Sequence, residues 1–302
     1  MNSAYRPALD GGTLECMRRI SLVLAACLLL GSAILLPFTS RPRADEAKNS
    51  SAHSYLGFDL NLYPGDAALP TLRKTFVFAG YWLSPPPGTR TNTWMGKREK
   101  LRQSDFGFLV LYRGRELHEV KTKVLATRKG TLDATTAIAS ARREGFPPGT
   151  IIFLDIEEGG RLPAAYHVYL RFFSETVRKS GYRMGAYCSG MPVKEEPGVT
   201  ITTAEDIRNN AATKDVAIFA YNDACPPSPG CNFPQNPPSP DASGISYAAI
   251  WQFAQSPRRK EFAANCPPGY HVDGNCYAPG DTAHSWFLDV SSATSADPSG
   301  GK

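Results

Sequence analysis

Two carboxylates close an apolar run in this chain. Thr150 to Gly160 reads TIIFLDIEEGG, with Asp155 and Glu157 separated only by Ile156. On a strand, residues two apart project to the same face, and their Cα atoms lie about 6.5–7 Å apart. Two acids that close, in surroundings poor in water, resist ionising together, so their pKa values separate. One then keeps its proton near neutral pH and can donate it, while the other stays charged. Glycoside hydrolysis needs that division of labour. A bare Asp-x-Glu fits equally well a solvated strand end or a cap for the next helix, so other residues must decide. Glu158 has the opposite parity and reads as a surface or helix-entry residue.

Further acids and aromatics end other apolar runs. Asp59 ends the first strand-like run, YLGFDLN, and Asp289 is read as ending the eighth, WFLDVSSA, next to Asp59 if the barrel closes. Tyr81, Tyr112, Tyr187, Tyr221 with Asn222, and Trp251 with Gln252 fall in or near the ends of five more. Acids ringed by aromatics suit a sugar cleft, because ring faces stack on pyranoses while carboxylates hold hydroxyls. Any one of these aromatics alone is as readily a core residue. Other chemistries lack their residues. The histidines at 53, 118, 167, 271 and 284 form no HExxH or paired spacing, which excludes a catalytic zinc of that type. No GxSxG elbow is present. No metal and no cofactor is expected. The net charge is +5, and the Lys and Arg residues are scattered, with Arg258, Arg259 and Lys260 as the densest run. That pattern reads as a solvated surface. It lacks the basic, aromatic stripe of a nucleic-acid binder.

The elements that must position these residues follow a rhythm. Eight mostly apolar runs, at 55–61, 76–83, 106–114, 150–157, 183–190, 216–222, 248–255 and 286–293, read as strands buried on both faces. Helical patterns lie between several of them, at 132–145, 162–181 and 202–212. In the second, Pro163 suits a first turn, Leu170, Phe173 and Val177 share a face, and Gly181 suits the C-terminal cap. The third starts with a threonine cap. Alternating strands and helices predict an α/β fold. Eight units in this length fit a single-domain (β/α)8 TIM barrel. An open doubly wound sheet is the competitor, and no Gly-rich phosphate loop follows the first run to support it.

The chain has 302 residues, enough for one large domain. Residues 1–40 read as an export signal or an N-terminal membrane anchor, 41–54 as a polar linker, 55–295 as the barrel and 296–302 as a disordered tail. Arg18 and Arg19 precede the uncharged stretch Ile20 to Phe38. At about 1.5 Å per residue it just spans a ~30 Å hydrocarbon core, so cleaved signal and membrane tether both stay open. Either places the body of the protein outside the cytoplasm, in the periplasm, secreted, or on the outer face of the inner membrane. Of seven cysteines, Cys225 and Cys231 flank PPSPG, and Cys266 and Cys276 flank PPGYHVDGN. They read as two local disulfides closing the long loops after strands six and seven. Loops of that length in a compact domain usually carry function. Cys188 reads as a packed, inert thiol.

The pieces GFDLN, FAGYWL, FLDIE, GAYCSG, IWQFAQ and FLDV occur in this order and cover nearly all of the chain after the leader. In that arrangement the chain resembles the glycoside-hydrolase-like barrels related to the family 25, Chalaropsis-type, muramidases. Within them it is most similar to a bacterial branch described as a domain of unknown function. The resemblance implies a TIM barrel acting on a β-1,4-linked amino-sugar polymer such as peptidoglycan, as a monomer. It assigns the proton-donor role to Glu157, an assisting role to Asp155, and the shaping of the site to Asp59 and Asp289. Two departures bear on activity. The muramidases continue the last motif as Asp-x-Asn, whereas this chain has Asp289, Val290 and Ser291. The cysteine-bearing loops fit the uncharacterised branch better than the muramidases. A catalytically inactive carbohydrate-binding barrel and an envelope-anchored interaction protein are therefore the alternatives to an enzyme.

Overall fold

The computed structural model describes residues 53–262 and 269–302. The leader and Cys266 lie outside the described residues. Eight strands close into a barrel: β1 (Tyr55–Asp59), β2 (Phe78–Trp82), β3 (Gly107–Arg113), β4 (Ile151–Asp155), β5 (Arg183–Ser189), β8 (Ala217–Tyr221), β9 (Ala248–Ala254) and β10 (Asp289–Ala293). Each expected run contains one of them. A small hairpin, β6 (Val193–Glu196) with β7 (Val199–Ile201), lies between β5 and the next helix. It was not expected, since its strands are largely exposed and lack an apolar run.

Neighbours from β1 through β9 pair in parallel, as the α/β pattern requires. The last strand differs from a regular barrel. β10 runs antiparallel to both β9 and β1. No helix of more than one short turn is present among the described residues between β9 and β10. The chain leaves β9 at the top of the barrel and re-enters from the same end. Asp289 consequently opens its strand rather than ending it, yet still lies at the top, directly opposite Asp59 in the register.

Helices cover the outside. α1 (Leu69–Arg73) and α2 (Arg98–Gln103) are short, whereas α3 (Lys123–Arg143) and α4 (Ala164–Lys179) are long. α3 begins well before the expected 132, where the Thr122 hydroxyl caps the Leu125 amide. Its inner face is built of small residues, Ala126, Gly130, Ala134, Ala137 and Ala141. These let α4 approach closely: a Cβ on Gly130 would stand 2.5 Å from the Tyr169 carbonyl oxygen. α5 (Thr203–Asn209) starts at the expected threonine cap, a reciprocal capping box between Thr202 and Glu205.

Inside the barrel, large and small residues alternate as a tapering space demands. A Cβ on Gly57 would collide with the Phe78 ring, and one on Gly185 with the Phe153 ring. The bottom is closed by residues 296–302, which are ordered rather than a disordered tail. Asp297 accepts the Phe108 amide, Ser299 accepts the Val110 amide through Oγ and the Ile151 amide through its carbonyl, and Arg98 donates to Gly301.

The cysteine pairing differs from the two local loops expected. Cys231 bonds Cys276 across 45 residues, with Cα atoms 5.5 Å apart, and so ties the loop after β8 to the loop after β9. Cys225 is a buried free thiol, as is Cys188. Spacing along the chain favours near partners. Here both loops rise from neighbouring strands at one barrel end, which brings distant cysteines together. No helix among the described residues is long and apolar enough to cross a membrane.

Candidate active site

The four acids singled out by sequence meet in one pocket at the top of the barrel. Asp59, Asp155, Glu157 and Asp289 all line it, together with Asn61, Trp82, Leu111, Tyr187, Phe219 and Gln252. The pocket has a volume of about 140 Å³ and opens to solvent. Asp155 is the last residue of β4, and Glu157 stands just beyond the strand, exposed at the mouth. Glu158 takes another course, its carboxylate accepting the Leu117 amide at 3.0 Å.

Burial dominates the electrostatics. Asp59 is held well above the usual carboxylate range by desolvation, then by the negative charges of Asp289 and Asp155. Asp155 is likewise pushed well up by burial and by Glu157, against the pull of Arg113. Asp289 rises to about 7, through burial first, although the Ser256 amide donates to its Oδ1 at 2.7 Å and favours the charged form. Glu157 is raised by partial loss of water, and the guanidiniums of Arg113 and Arg259 restrain that rise. Burial thus favours the protonated form of the acids beneath an accessible one. Asp59 Oδ2, Asp155 Oδ1 and the Trp82 indole nitrogen are buried without a hydrogen-bond partner. Such orphans are rare in a stable interior and mark places where a polar ligand completes the bonding.

The expected binding residues divide by parity. Tyr187 and Gln252 line the pocket, and the Gln252 amide donates to the Tyr187 hydroxyl at 3.1 Å. Tyr221 lies beside Tyr187, ring centroids 5.4 Å apart, beneath the Arg259 guanidinium. Tyr81, Tyr112 and Trp251 have the other parity and do not line the pocket. The Tyr81 hydroxyl donates to Glu144, the Tyr112 ring packs on Phe173 of α4, and the Trp251 indole donates to the Asn222 carbonyl. Asn222 is buried and donates to the Ser243 carbonyl.

Several pocket residues escaped the sequence reading. Trp82, Leu111 and Phe219 share the inward parity of the acids, and strict alternation from each strand end would have found them. Arg259 was read as part of a solvated basic run. In the structure it pairs with buried Asp223 at 3.3 Å and covers Tyr221. Nothing local in the sequence signals that return. Among the described residues, no group of three or more His, Cys, Asp or Glu is arranged to hold a metal ion.

The pocket shares walls with two neighbouring hollows. On one side, Pro87, Asp155 and Glu157 are shared with a hollow of about 320 Å³ whose other walls include Arg113, Arg115, Glu116 and Glu158. On the other, Asn61, Ser256 and Asp289 are shared with a hollow of about 810 Å³.

Residues 84–224 match the family model of the Rv2525c-like, glycoside hydrolase-like domain. The expected kinship is with glycoside hydrolase-like proteins. The matched stretch runs from β3 through β8 and contains Asp155, Glu157 and Tyr187, while Asp59 and Asp289 lie outside it. Among solved structures, an uncharacterized protein of B. stearothermophilus has a TM-score of 0.52 at 22% identity, covering 78% of this chain and 94% of its own. The Clostridium perfringens spore cortex lytic enzyme SleM scores 0.47 at 16% identity, covering 80% and 68%. The Mycobacterium tuberculosis Tat-secreted protein Rv2525c scores 0.45 at 14%, covering 80% and 95%. At 22% identity the first of these shows a likeness of fold alone. No curated protein matches the sequence significantly.

Proposed function

We propose that this protein is an exported glycosidase that cleaves a β-1,4-linked amino-sugar polymer such as peptidoglycan by carboxylate acid/base catalysis. One observation carries the reading: four acids converge at the floor and mouth of an open groove, two of them with buried oxygens that lack partners. Glu157 is the proton donor. It is the accessible acid of the four, raised by lost hydration, and a bound glycan would strip it further and hold the proton on it until the glycosidic oxygen takes it. Asp155, directly below, stabilises the charge that develops at the sugar as the bond breaks. Asp59 and Asp289 stand opposite each other in the register, and burial raises both, so the pair offers a protonated acid and hydrogen-bond acceptors to sugar hydroxyls. The uncharged run behind Arg18 and Arg19, and a disulfide of the kind found in oxidising compartments, support export.

The test is mass analysis of purified peptidoglycan digested by wild type and by Glu157→Gln side by side. New reducing ends from the wild type alone are expected, and equal digestion by both would sink the assignment. A second reading, glycan capture without cleavage, is favoured by Ser291, a buried hydroxyl without a partner where the muramidase motif carries Asn. It predicts saturable binding with no new reducing ends.

A further inference from the structure

The larger hollow beside the acids has a different character from the rest of the groove. Its walls are Leu62, Tyr63 and Pro64 from the segment after β1, and Pro257, Trp286 and Phe287 from the segment between β9 and β10. Leu62 and Phe287 stay 57% and 53% exposed, so both side chains are open to a ligand in the hollow.

These walls are held firmly. The Tyr63 amide donates to Thr93 at 2.8 Å and its hydroxyl to Asp66 at 2.8 Å, with the ring edge-on to Trp94. Across the hollow, the Asp281 carboxylate accepts the backbone amides of Ser285 and Trp286, which fixes the stretch that presents the two rings. Ser256 ties that wall to the acids: its amide donates to Asp289, its hydroxyl donates to the Leu288 carbonyl at 2.6 Å and accepts the Cys276 amide. Cys276 is itself bonded to Cys231.

We propose that this hollow is a sugar-binding subsite, in which a pyranose ring of the polymer rests its apolar face on Trp286 and Phe287 while its hydroxyls meet Asn61 and Asn275. The inference rests on the glycan reading of the central site. Continuity selects this occupant. The hollow and the acid pocket share Asn61, Ser256 and Asp289, so one linear molecule fills both without a break. The opposite arm, with Arg113, Arg115, Glu116 and Glu158, offers no ring to stack on. The groove is therefore polar in its sequence of contacts: charged arm, acids, aromatic arm. The chain would be gripped at the aromatic end.

The experiment measures binding of β-1,4-linked N-acetylglucosamine oligomers, a disaccharide and a hexasaccharide, to full-length Glu157→Gln by calorimetry. The hexasaccharide should bind more tightly than the disaccharide. Phe287→Ala combined with Leu62→Ser should remove most of that advantage, about tenfold, a typical worth for an aromatic stack. Both positions are exposed, so folding should be kept, and a thermal melt checks this; Trp286→Phe, which keeps a ring, should retain most of the binding. Unchanged hexasaccharide affinity in the double variant overturns the subsite, as does a Glu157→Gln protein that binds neither oligomer. Loss of a concentration-dependent dimer without change in sugar affinity overturns it in favour of a contact between two copies. Cleavage by the wild type with unchanged binding in the double variant would leave the enzyme reading standing and remove only the subsite. Length-dependent binding without any cleavage would do the reverse.

Discussion

The two ends of the barrel are made from the same strands and treat their polar groups in opposite ways. At the bottom, the Asp297 carboxylate receives the amides of Phe108 and Lys302, and Ser299 joins β3 to β4 through its hydroxyl and carbonyl. At the top, Asp59 and Asp155 are more deeply buried than they are satisfied, and each keeps an oxygen with no partner. An acid that accepts backbone amides stabilises a fold, whereas one that lacks them weakens it. The contrast puts the satisfied polar groups at one end and the unsatisfied acids at the other. The orphans lie at the C-terminal ends of the parallel strands, the end where TIM-barrel enzymes carry their active sites and where the proposed site lies.

Substitutions at the two ends should separate accordingly. The largest effect is expected at Glu157: changing it to Gln should lower the rate of glycan cleavage by about 10²–10⁴-fold with the melting temperature nearly unchanged, read as reducing ends released. Next is Asp297→Ala at the bottom. It removes two backbone partners and should destabilise by roughly 2–3 kcal/mol in a denaturant titration, with kcat of the folded fraction preserved. If Asp297→Ala instead abolished cleavage in the folded protein, the division between the ends would fail.

A smaller effect of opposite sign is expected at Asp289. Its folded-state pKa is raised to about 7, so the folded state binds more protons than the unfolded chain once pH exceeds the ordinary Asp range. Stability from this group is full below about pH 4 and is lost as pH rises through about 7. Asp289→Asn should therefore stabilise by roughly 1–2 kcal/mol at pH 8 and by much less at pH 4, seen as a flatter dependence of melting temperature on pH. The smallest effect is at Arg259. Its positive charge holds Glu157 down, so Arg259→Gln should move the alkaline limb of the pH–rate profile upward, by roughly half a pH unit. A shift downward would contradict the proton-donor role of Glu157.

Much of the fold was legible because buried strands announce themselves. The run at 106–114 is apolar at nearly every position, and the strand Gly107–Arg113 occupies it. Alternation with helical patterns such as that around Leu170, Phe173 and Val177 then requires an α/β arrangement, and the closed barrel agrees. The direction of β10 was not legible, because an apolar strand reads the same in either sense. Nor was the order of residues 296–302. Their polar, small side chains look like a free end until the exposed amides of β3 and β4 supply partners.

At the site, Asp59, Asp155, Glu157 and Asp289 came from strand-end position, a one-dimensional property. Tyr81, Tyr112 and Trp251 were selected on the same ground, but a strand has two faces, and theirs looks out to the helices. Arg259 and the Cys231–Cys276 bond depend on how two long loops fold back over the barrel mouth, which no periodicity encodes.

The sequence by itself determined which segments are buried strands, that α4 and α5 cover them, and which acids stand at strand termini, since hydrophobic pattern and capping are local matters of burial and hydrogen bonding. The tertiary structure alone decided that Asp289 meets Asp59 from an antiparallel strand, that the acids lie in an open groove, and that an aromatic arm adjoins them. Those facts are set by loop closure and strand direction. They arise from contacts between residues far apart in the chain, whose energies no single stretch of sequence carries.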